Sequence, residues 1–160
     1  MNFRVGHGFD VHRLVVARPL ILGGVKLNFK KGLLGHSDAD VLLHAVSDAL
    51  LGAASLGDIG QTFPPDDPKI KEISSVEILR NSFLHVHDLG YNISNIDATV
   101  LAEQPKMKPY LKEMIKNIAT VCEIKESQVN LKATTTERLG FIGRKEGIAA
   151  EAVVLIFIKN

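Results

Sequence analysis

Segments with the two-residue period of β-strands alternate with segments of helical period along the whole chain, and this order constrains the fold more than any other feature. With no repeat, linker or low-complexity tract between them, the elements favour one α+β catalytic domain spanning residues 1–160. The expected architecture is a sandwich of a mainly β sheet with helices packed on one face. The predicted strands are Phe3 to Phe9, Leu20 to Phe29, Ile93 to Ala102, Val129 to Ala133 and Ala149 to Lys159, and the predicted helices run from near Asp38 to about Ala54, from Ser74 to Gly90 and from Pro109 onward.

Glycine and capping residues indicate where these elements begin and end. The Gly23-Gly24 dipeptide interrupts the second strand and suits a bulge or a tight turn, and loops are expected over residues 30–35 and 57–68. Ser74 to Glu77 has the spacing of a capping box, and Gly90 is suited to end that helix. The apolar stripes predicted to face the core are Val76, Leu79, Phe83 and Val86, then Leu111, Met114, Ile115, Ile118 and Val121.

Composition excludes several classes of protein. Of the 160 residues, 46% are hydrophobic and 23% charged, and the net charge is +1, which argues against disorder and against a nucleic-acid partner. Cys122 is the only cysteine, which excludes an internal disulfide, fits a reducing compartment and suits a helix core better than a nucleophile. Neither a secretory leader nor an apolar stretch of membrane-spanning length is evident. A soluble, cytoplasmic protein is expected.

The residue types most typical of chemistry lie on two elements of different period. Asp10 and His12 stand two residues apart at the end of the first strand, so their side chains point to the same side. His44 lies in the first helix. One carboxylate and two imidazoles are the number of protein ligands that a catalytic zinc uses while a fourth position stays open. The three residues together predict a divalent-metal site, although His44 alone would be explained more simply as a core histidine.

A metal-bound imidazole usually donates its second N–H to a carboxylate or a carbonyl. Asp40 and Asp48 flank His44 at four-residue spacing on one helical stripe, so either can serve as this partner. Asp48 is the favoured partner because it lies deeper in the helix. The competing interpretation is a solvated acidic stripe that carries one core histidine.

Two further segments suit the binding of phosphate. His36 and Ser37 precede the first helix, where free backbone N–H groups and the helix dipole favour an anion, although Ser37 or Asp38 can also serve simply as a cap. Thr134 to Thr136 offers three hydroxyls after a strand, and Glu137 adds a carboxylate suited to a second cation such as Mg²⁺ or Mn²⁺. The alternative is a β-branched strand end with a capping glutamate.

Other polar residues give little or no indication of a catalytic or metal-binding role. Glu151 interrupts an apolar strand and either pairs with Arg144 or faces outward. The pair His85 and His87 lies in a helix, where residues two apart diverge, and His7 falls on the strand face opposite to the predicted metal ligands. The sequence has neither a phosphate-binding glycine-rich loop nor a nucleophilic serine elbow. The chemistry must therefore rest on metals and on positioning.

Five motifs, in order from the first strand to the last third of the chain, resemble those of the 2-C-methyl-D-erythritol 2,4-cyclodiphosphate synthases. They are Gly6 to His12, His36 to Asp40, Asp48 to Ala53, Gly57 to Gly60 and Lys132 to Glu137. The resemblance implies a homotrimer with active sites between adjacent subunits. It also implies a reaction in which the 2-phosphate of 4-diphosphocytidyl-2-C-methyl-D-erythritol 2-phosphate attacks the sugar-linked phosphorus and expels CMP, in the non-mevalonate route to isoprenoid precursors.

The resemblance also assigns residues to the metal and to the reacting phosphates. It implies zinc at Asp10, His12 and His44, with the first two also touching substrate. It places His36 and Thr135 at transition-state-stabilising positions. Further contacts to substrate, its phosphates or a second metal are implied at Ser37, at Asp58, Ile59 and Gly60, at the loop Phe63 to Asp67, at Thr134, Thr135 and Glu137, and at Phe141 and Arg144.

A separate loop is implied to hold the cytosine, and a separate cavity to lie on the trimer axis. The loop runs from Ala102 to Lys108, includes Pro105, Lys106 and Met107, and would act largely through its backbone. The axial cavity, with a possible isoprenoid diphosphate in it, would be lined by Phe9, Arg144 and Glu151. One departure from the family pattern is Pro65, which stands where many relatives have an aspartate.

Two other functions compete with cyclisation. A metal-dependent phosphodiesterase or pyrophosphatase would use the same ligands with water as the nucleophile. A non-catalytic trimer would bind isoprenoid diphosphates through Phe9, Arg144 and Glu151. Cyclisation is favoured because phosphoryl transfer needs positioning and electrostatic stabilisation more than a protein nucleophile.

Overall fold

The computed structural model describes residues 2–63 and 73–158. Within these ranges the strands are β1 (Asn2–Val16), β2 (Leu20–Leu22), β3 (Val25–Leu27), β4 (Lys31–Leu33), β5 (Asn92–Leu101), β6 (Val129–Thr134) and β7 (Gly147–Ile158). The helices are α1 (Val41–Ala53), α2 (Ile59–Thr62), α3 (Ser75–Asp88), α4 (Leu111–Val121) and α5 (Gly140–Gly143), and a 3₁₀ turn covers Glu126–Gln128.

Five strands form one sheet in the order β4-β1-β7-β5-β6, in which β5 and β6 are parallel and the other neighbours are antiparallel. Helix α1 packs on β1, β7 and β5, while α3 packs on α1 and α4 packs on β6. The large apolar side chains between these layers are fully buried, among them Leu42, Leu50, Leu79, Ile118 and Ile148. The predicted α+β domain with helices on one face of the sheet is confirmed.

Two glycines of β1 bring α1 unusually close to the sheet. A Cβ on Gly6 would lie 1.9 Å from the carbonyl oxygen of Ala49, and one on Gly8 would lie 2.0 Å from that of Ala45. Both contacts are with helix backbone, which cannot move aside as a flexible side chain can. The absence of side chains at these two positions therefore fixes the distance between β1 and α1, the two elements that carry the predicted metal ligands.

The segment predicted as a strand from Leu20 to Phe29, with a bulge or a tight turn at Gly23-Gly24, is a β-hairpin: the tight turn is confirmed, and the single strand was wrong. Strands β2 and β3 pair with each other as a separate two-stranded sheet. Gly23 and Gly24 form the connection with φ of 58° and 69°, the left-handed values that a two-residue hairpin turn requires and glycine adopts most readily.

Several predicted boundaries also move. Ala39 has φ of 57°, which is incompatible with a helix, so α1 starts at Val41 rather than near Asp38. Part of the predicted loop over 30–35 is the edge strand β4, paired with the end of β1, and part of the loop over 57–68 is the short helix α2. Helix α3, the second of the predicted helices, begins after the Ser74 cap and ends before Gly90, as predicted.

The face of the sheet that points away from the helices carries solvent-exposed apolar side chains. On β1 the even positions point toward α1 and the odd positions point away, as the two-residue period predicts. The odd positions expose several large groups: Phe3 by 52%, Val5 by 67%, Phe9 by 50% and Val11 by 41%, and β7 adds Val153 at 43%. His7 lies on this face, opposite to Asp10 and His12, as predicted.

Among the helices of the described residues, none combines the length and the apolar character needed to cross a bilayer.

Candidate metal centre and substrate cavities

Asp10, His12 and His44 converge at the edge where β1 passes the start of α1. One ligand atom from each residue lies within 4.8 Å of the others. Asp10 Oδ2 is 2.9 Å from His44 Nδ1 and 3.3 Å from His12 Nε2. Ligand atoms bound at about 2.0–2.2 Å in a tetrahedron are themselves roughly 3.3 Å apart. The predicted three residues therefore meet at the spacing that a zinc site needs.

The His12 ring is oriented by a backbone carbonyl. His12 Nδ1 lies 2.6 Å from the Leu34 carbonyl oxygen, which can only accept, so this nitrogen carries a proton. Nε2 then turns toward Asp10. The hydrogen bond to Asp10 raises the pKa of His12, more than burial lowers it. Burial raises the pKa of Asp10, but the hydrogen bonds and charges of His12 and His44 outweigh it and hold that pKa well below its usual range.

The prediction that the second N–H of His44 donates to Asp40 or Asp48 was wrong. His44 Nε2 meets two hydroxyls instead, Ser75 Oγ at 2.9 Å and Ser37 Oγ at 3.4 Å. Ser75 is fully buried at the start of α3, and its hydroxyl and backbone N–H both donate to the Asp38 carboxylate. The second N–H of the imidazole thus reaches a carboxylate only through a serine.

Asp40 fails as this partner because its carboxylate caps α1. It accepts from the backbone N–H of Leu43 at 3.1 Å, and also from Gly23 at 3.0 Å and Gly24 at 2.8 Å in the hairpin turn. Complete burial raises the pKa of Asp40 to about 6, against these three donors. Asp40, rather than the expected Ser37 or Asp38, is therefore the N-cap, and it ties the β2–β3 hairpin to the helix that carries His44.

Asp48, the favoured candidate, is turned toward α2. Its Oδ1 accepts from the backbone N–H of Ile59 at 2.8 Å. Partial burial raises the pKa of Asp48 more than this hydrogen bond lowers it. The side chain therefore holds the Gly57–Gly60 turn in place beside the metal cluster rather than orienting His44.

The metal cluster opens into a cavity of about 330 Å³. Both polar and apolar groups line it. Of the residues predicted to touch substrate, His36, Ser37, Ile59, Gly60 and Phe63 join the three metal-type ligands there, and Ile73 and Ile78 complete the wall. Asp58 does not line this cavity: it caps α2 by accepting from Gln61 at 2.9 Å.

A second cavity, of about 490 Å³, lies between the 102–108 segment and the end of β6. The predicted cytosine loop and the predicted phosphate-binding threonines line it together. Its walls include Ala102, Pro105, Lys106, Met107 and Lys108, together with Thr134 and Thr135. The two cavities share no residue, so His36 and Thr135, which the resemblance places on one transition state, line separate cavities of the single chain.

Glu103 connects the 102–108 segment to the loop after β6, and the sequence did not predict this role. Its Oε1 accepts from the backbone N–H groups of Thr136 and Arg138, each at 3.1 Å, and from the Thr136 hydroxyl at 3.4 Å. These bonds, led by that from Arg138, lower the pKa of Glu103. The sequence pattern shows only that Glu103 follows strand β5. No local signal predicts its contact with Thr136, which is 33 residues away.

The remaining predicted residues lie elsewhere. Glu137 is exposed, and its carboxylate accepts from the Thr135 hydroxyl at 3.3 Å. Phe141 is 41% exposed on α5. Arg144 donates to Glu146 at 2.9 Å, so it does not pair with Glu151 in the chain, and Glu151 faces outward on the exposed side of the sheet. Pro65 and Asp67 fall outside the described residues, and Cys122 is buried in the helical layer, as predicted.

Fold and site together define a class: a single-domain α+β protein whose strand–helix contact holds an Asp-His-His cluster at the mouth of a cavity. The YgbB family model matches residues 3–157, and the chain belongs to that family.

Named relatives agree with this assignment. The 2-C-methyl-D-erythritol 2,4-cyclodiphosphate synthase of Enterococcus faecalis is 60% identical over 153 residues, which is 96% of this chain and 98% of the relative. The structure of the bifunctional IspDF from Campylobacter jejuni superposes with a TM-score of 0.95 at 45% identity, covering 99% of this chain but 43% of that longer protein. The IspF (Plasmodium falciparum) CDP complex superposes with a TM-score of 0.87 at 40% identity, covering 99% of this chain and 98% of that one. The resemblance to the cyclodiphosphate synthases is thereby confirmed.

Proposed function

We propose that Asp10, His12 and His44 bind one divalent cation, of which zinc suits the donor set best. The observation that carries this proposal is the direction of the lone pairs. His12 uses Nδ1 to donate to Leu34, which leaves Nε2, 3.3 Å from Asp10 Oδ2, as the nitrogen that a metal would take once its proton is lost. His44 turns Nδ1 to the same oxygen at 2.9 Å. Acceptor atoms crowd together in this way only around a positive charge, which a proton or a metal ion supplies.

We infer that the chain converts 4-diphosphocytidyl-2-C-methyl-D-erythritol 2-phosphate to 2-C-methyl-D-erythritol 2,4-cyclodiphosphate and CMP. It is thus a phosphorus–oxygen lyase of isoprenoid precursor synthesis. An oxygen of the 2-phosphate forms a bond to the sugar-linked phosphorus of the diphosphate, and the anhydride bond to CMP breaks. Family membership at 60% identity to a named synthase supports this reaction over hydrolysis by a metal-dependent phosphodiesterase.

The side chains of the first cavity suit the reacting phosphates. His36 and Ser37 can donate to phosphate oxygens, and the turn at Ile59 and Gly60 offers backbone at the same wall. A bound divalent cation would neutralise phosphate oxygens and make the attacked phosphorus more electrophilic. Holding both phosphates rigidly in this cavity would let ring closure outrun attack by water. Phe63 and Ile73 supply apolar wall that limits access of water.

The second cavity suits the cytidine half of the substrate. The 102–108 segment offers backbone groups that can hydrogen-bond to the base. Thr134 and Thr135 offer hydroxyls for the diphosphate. Glu137, which already accepts from Thr135, is the proposed protein ligand for a second cation, Mg²⁺ or Mn²⁺, that travels with the diphosphate. In this proposal Asp58, Phe63, Phe141 and Arg144 also contact substrate, as the resemblance implies for the loop up to Asp67, which lies outside the described residues beyond Phe63.

We propose that the active site forms between two copies of the chain, in a homotrimer. The two cavities share no lining residue within one chain, which supports a site where a neighbour brings its second cavity to the first. The exposed apolar face of the sheet, with Phe9 and Val153 half open, supports association with further copies. Phe9 and Glu151, with Arg144, would then line an axial cavity with room for an isoprenoid diphosphate. Light scattering would give the number of copies, and a cytoplasmic location stays a prediction.

Product analysis tests the reaction. Incubation of the substrate with the zinc- and magnesium-loaded protein is expected to release CMP and the cyclic diphosphate in equal amounts, followed by phosphorus NMR. A linear phosphorylated product with CMP would instead indicate that water is the nucleophile, and would overturn the proposed cyclisation. The matched control is the same incubation with the protein after removal of divalent ions.

Zinc affinity should fall as the pH is lowered, because the proton and the metal compete for His12 Nε2. The hydrogen bond to Asp10 raises the pKa of His12 above its ordinary 6.5, so the proton already competes near neutral pH. The apparent dissociation constant should be flat well above that pKa and should rise by up to about tenfold per pH unit below it. Chelator competition at a series of pH values measures this, and a flat profile down to about pH 5.5 would contradict the role of His12.

A further inference from the structure

We propose that Ser75 and Asp38 are a positioning pair that fixes the protonation pattern of the His44 imidazole and thereby sets metal affinity. The inference rests on the metal site of the proposed function and deepens it. Ser75 is fully buried, yet neither the fold nor the proposed reaction otherwise uses its hydroxyl. The cap of α3 is the preceding residue, Ser74, whose hydroxyl accepts from the Glu77 N–H at 3.3 Å.

The position of each proton follows from the partners. An ionised carboxylate has no proton to give, so the contact between Ser75 Oγ and Asp38 Oδ1 uses the hydroxyl proton of Ser75. The Ser75 backbone N–H donates to the same carboxylate at 3.1 Å, which fixes the direction of the pair. The hydroxyl oxygen is left with lone pairs, and His44 Nε2 stands 2.9 Å from it. That nitrogen must therefore carry a proton.

The consequence lies on the other side of the ring. A metal-bound imidazole is neutral and has one N–H, so a proton on Nε2 leaves the lone pair of Nδ1 for the ion. Nδ1 is the atom that faces Asp10, at 2.9 Å. The Asp38–Ser75 pair thus directs His44 Nδ1 toward the metal position, where a proton shared with Asp10 is displaced when an ion binds. Ser37 Oγ, at 3.4 Å from Nε2, already accepts from the Ala39 N–H at 3.0 Å and is the weaker partner.

The chain offers a matched control on the same helix. Ser82 is also fully buried on α3, and its hydroxyl donates to the Ile78 carbonyl at 2.9 Å. Ser75→Ala and Ser82→Ala each delete one buried hydroxyl from α3, so a purely structural effect should appear in both. Loss of a hydrogen bond behind a metal ligand typically weakens metal binding about 10–100-fold. Only Ser75→Ala should show that loss, and Ser75→Thr, which keeps a hydroxyl, should restore it.

The test measures zinc dissociation constants by chelator competition for the three variants and the wild type, with thermal unfolding as the check on folding. A Ser75→Ala protein that binds zinc as tightly as Ser82→Ala would overturn the inference. Long-range nitrogen–proton NMR of the metal-free wild type is the second readout and needs no variant. It should show a proton on His44 Nε2, and an Nε2 without a proton would overturn the inference even if Ser75→Ala failed to fold. If the wild type bound no zinc, the metal proposal would fail while the NMR result still decided the role of Ser75.

Discussion

Replacement of His44 by alanine is expected to abolish zinc binding at the site and to reduce turnover by more than the roughly 10–100-fold that loss of an outer hydrogen bond costs. The reason is that one of three protein ligands disappears while Asp10 and His12 stay in place. The fold should survive, because the imidazole contacts polar groups at a cavity wall rather than apolar neighbours in the core. Zinc content, turnover and the mass in solution should be measured on the same preparation.

His85→Ala is the matched control, since it removes an exposed histidine from α3 and should leave activity unchanged. Full turnover in His44→Ala would contradict the metal site. Lost turnover with unchanged assembly would exclude the alternative in which the trimer only binds isoprenoid diphosphates.

The same variant also tests whether the site is shared between subunits. His44 and Thr135 line different cavities of one chain, so a site between copies takes one of them from each neighbour. Co-expression of His44→Ala with Thr135→Ala, each inactive alone, should restore turnover at about a quarter of the sites by random mixing. No recovery in mixed assemblies would show that each chain works by itself.

Gly8→Ala is expected to cause a large loss of stability, as the equivalent change at Gly6 should also do. The new Cβ would lie 2.0 Å from the Ala45 carbonyl oxygen and 2.8 Å from the Ala49 nitrogen, both in the backbone of α1. Relief requires the helix to move away from the sheet, which should cost about 3 kcal/mol or more in the free energy of unfolding. Because α1 carries His44, zinc affinity should fall as well. Urea unfolding and chelator competition measure the two effects.

Gly52→Ala provides the opposite control. Its added Cβ would have only the His7 carbonyl oxygen near it, at 3.9 Å, and the residue is an exposed position within α1. Alanine is favoured over glycine in a helix, so this variant should gain about 0.5–1 kcal/mol. An unfolding midpoint of Gly8→Ala equal to that of the wild type would show that the close contact of β1 with α1 has little importance.

The sequence predicted the metal ligands of the candidate site better than the residues that orient them by hydrogen bonds. Asp10 and His12 follow from strand alternation, which needs only local order. The partner of His44 could not be found in this way, because helical spacing ranks Asp40 and Asp48 equally as neighbours. Asp40 is the cap and has extended backbone, and Asp48 turns to Ile59. Ser75 reaches the ring across 31 residues of sequence, a contact that only tertiary packing determines.

Short elements were the other source of error in the fold. Strands β2 and β3 have three residues each, too few for alternation to separate them from one strand with a bulge. The Gly23-Gly24 turn was identified, but its consequence, a hairpin that leaves the main sheet, depends on the hydrogen bonds that the buried Asp40 accepts from it. Glu103 shows the same limitation, since its partners lie on the loop after β6.

The pairing of β1 with β7 extends without interruption from Asn2 to Arg13. A deletion or insertion of one residue between Gly6 and Asp10 would send the carboxylate and the imidazole to the apolar side and bring Phe9 or Val11 against α1. Loops tolerate such changes in length during evolution. This strand does not, because every residue from Asn2 to Arg13 is paired with β7. Natural variants of the chain should therefore differ in length at its turns and never within the first strand.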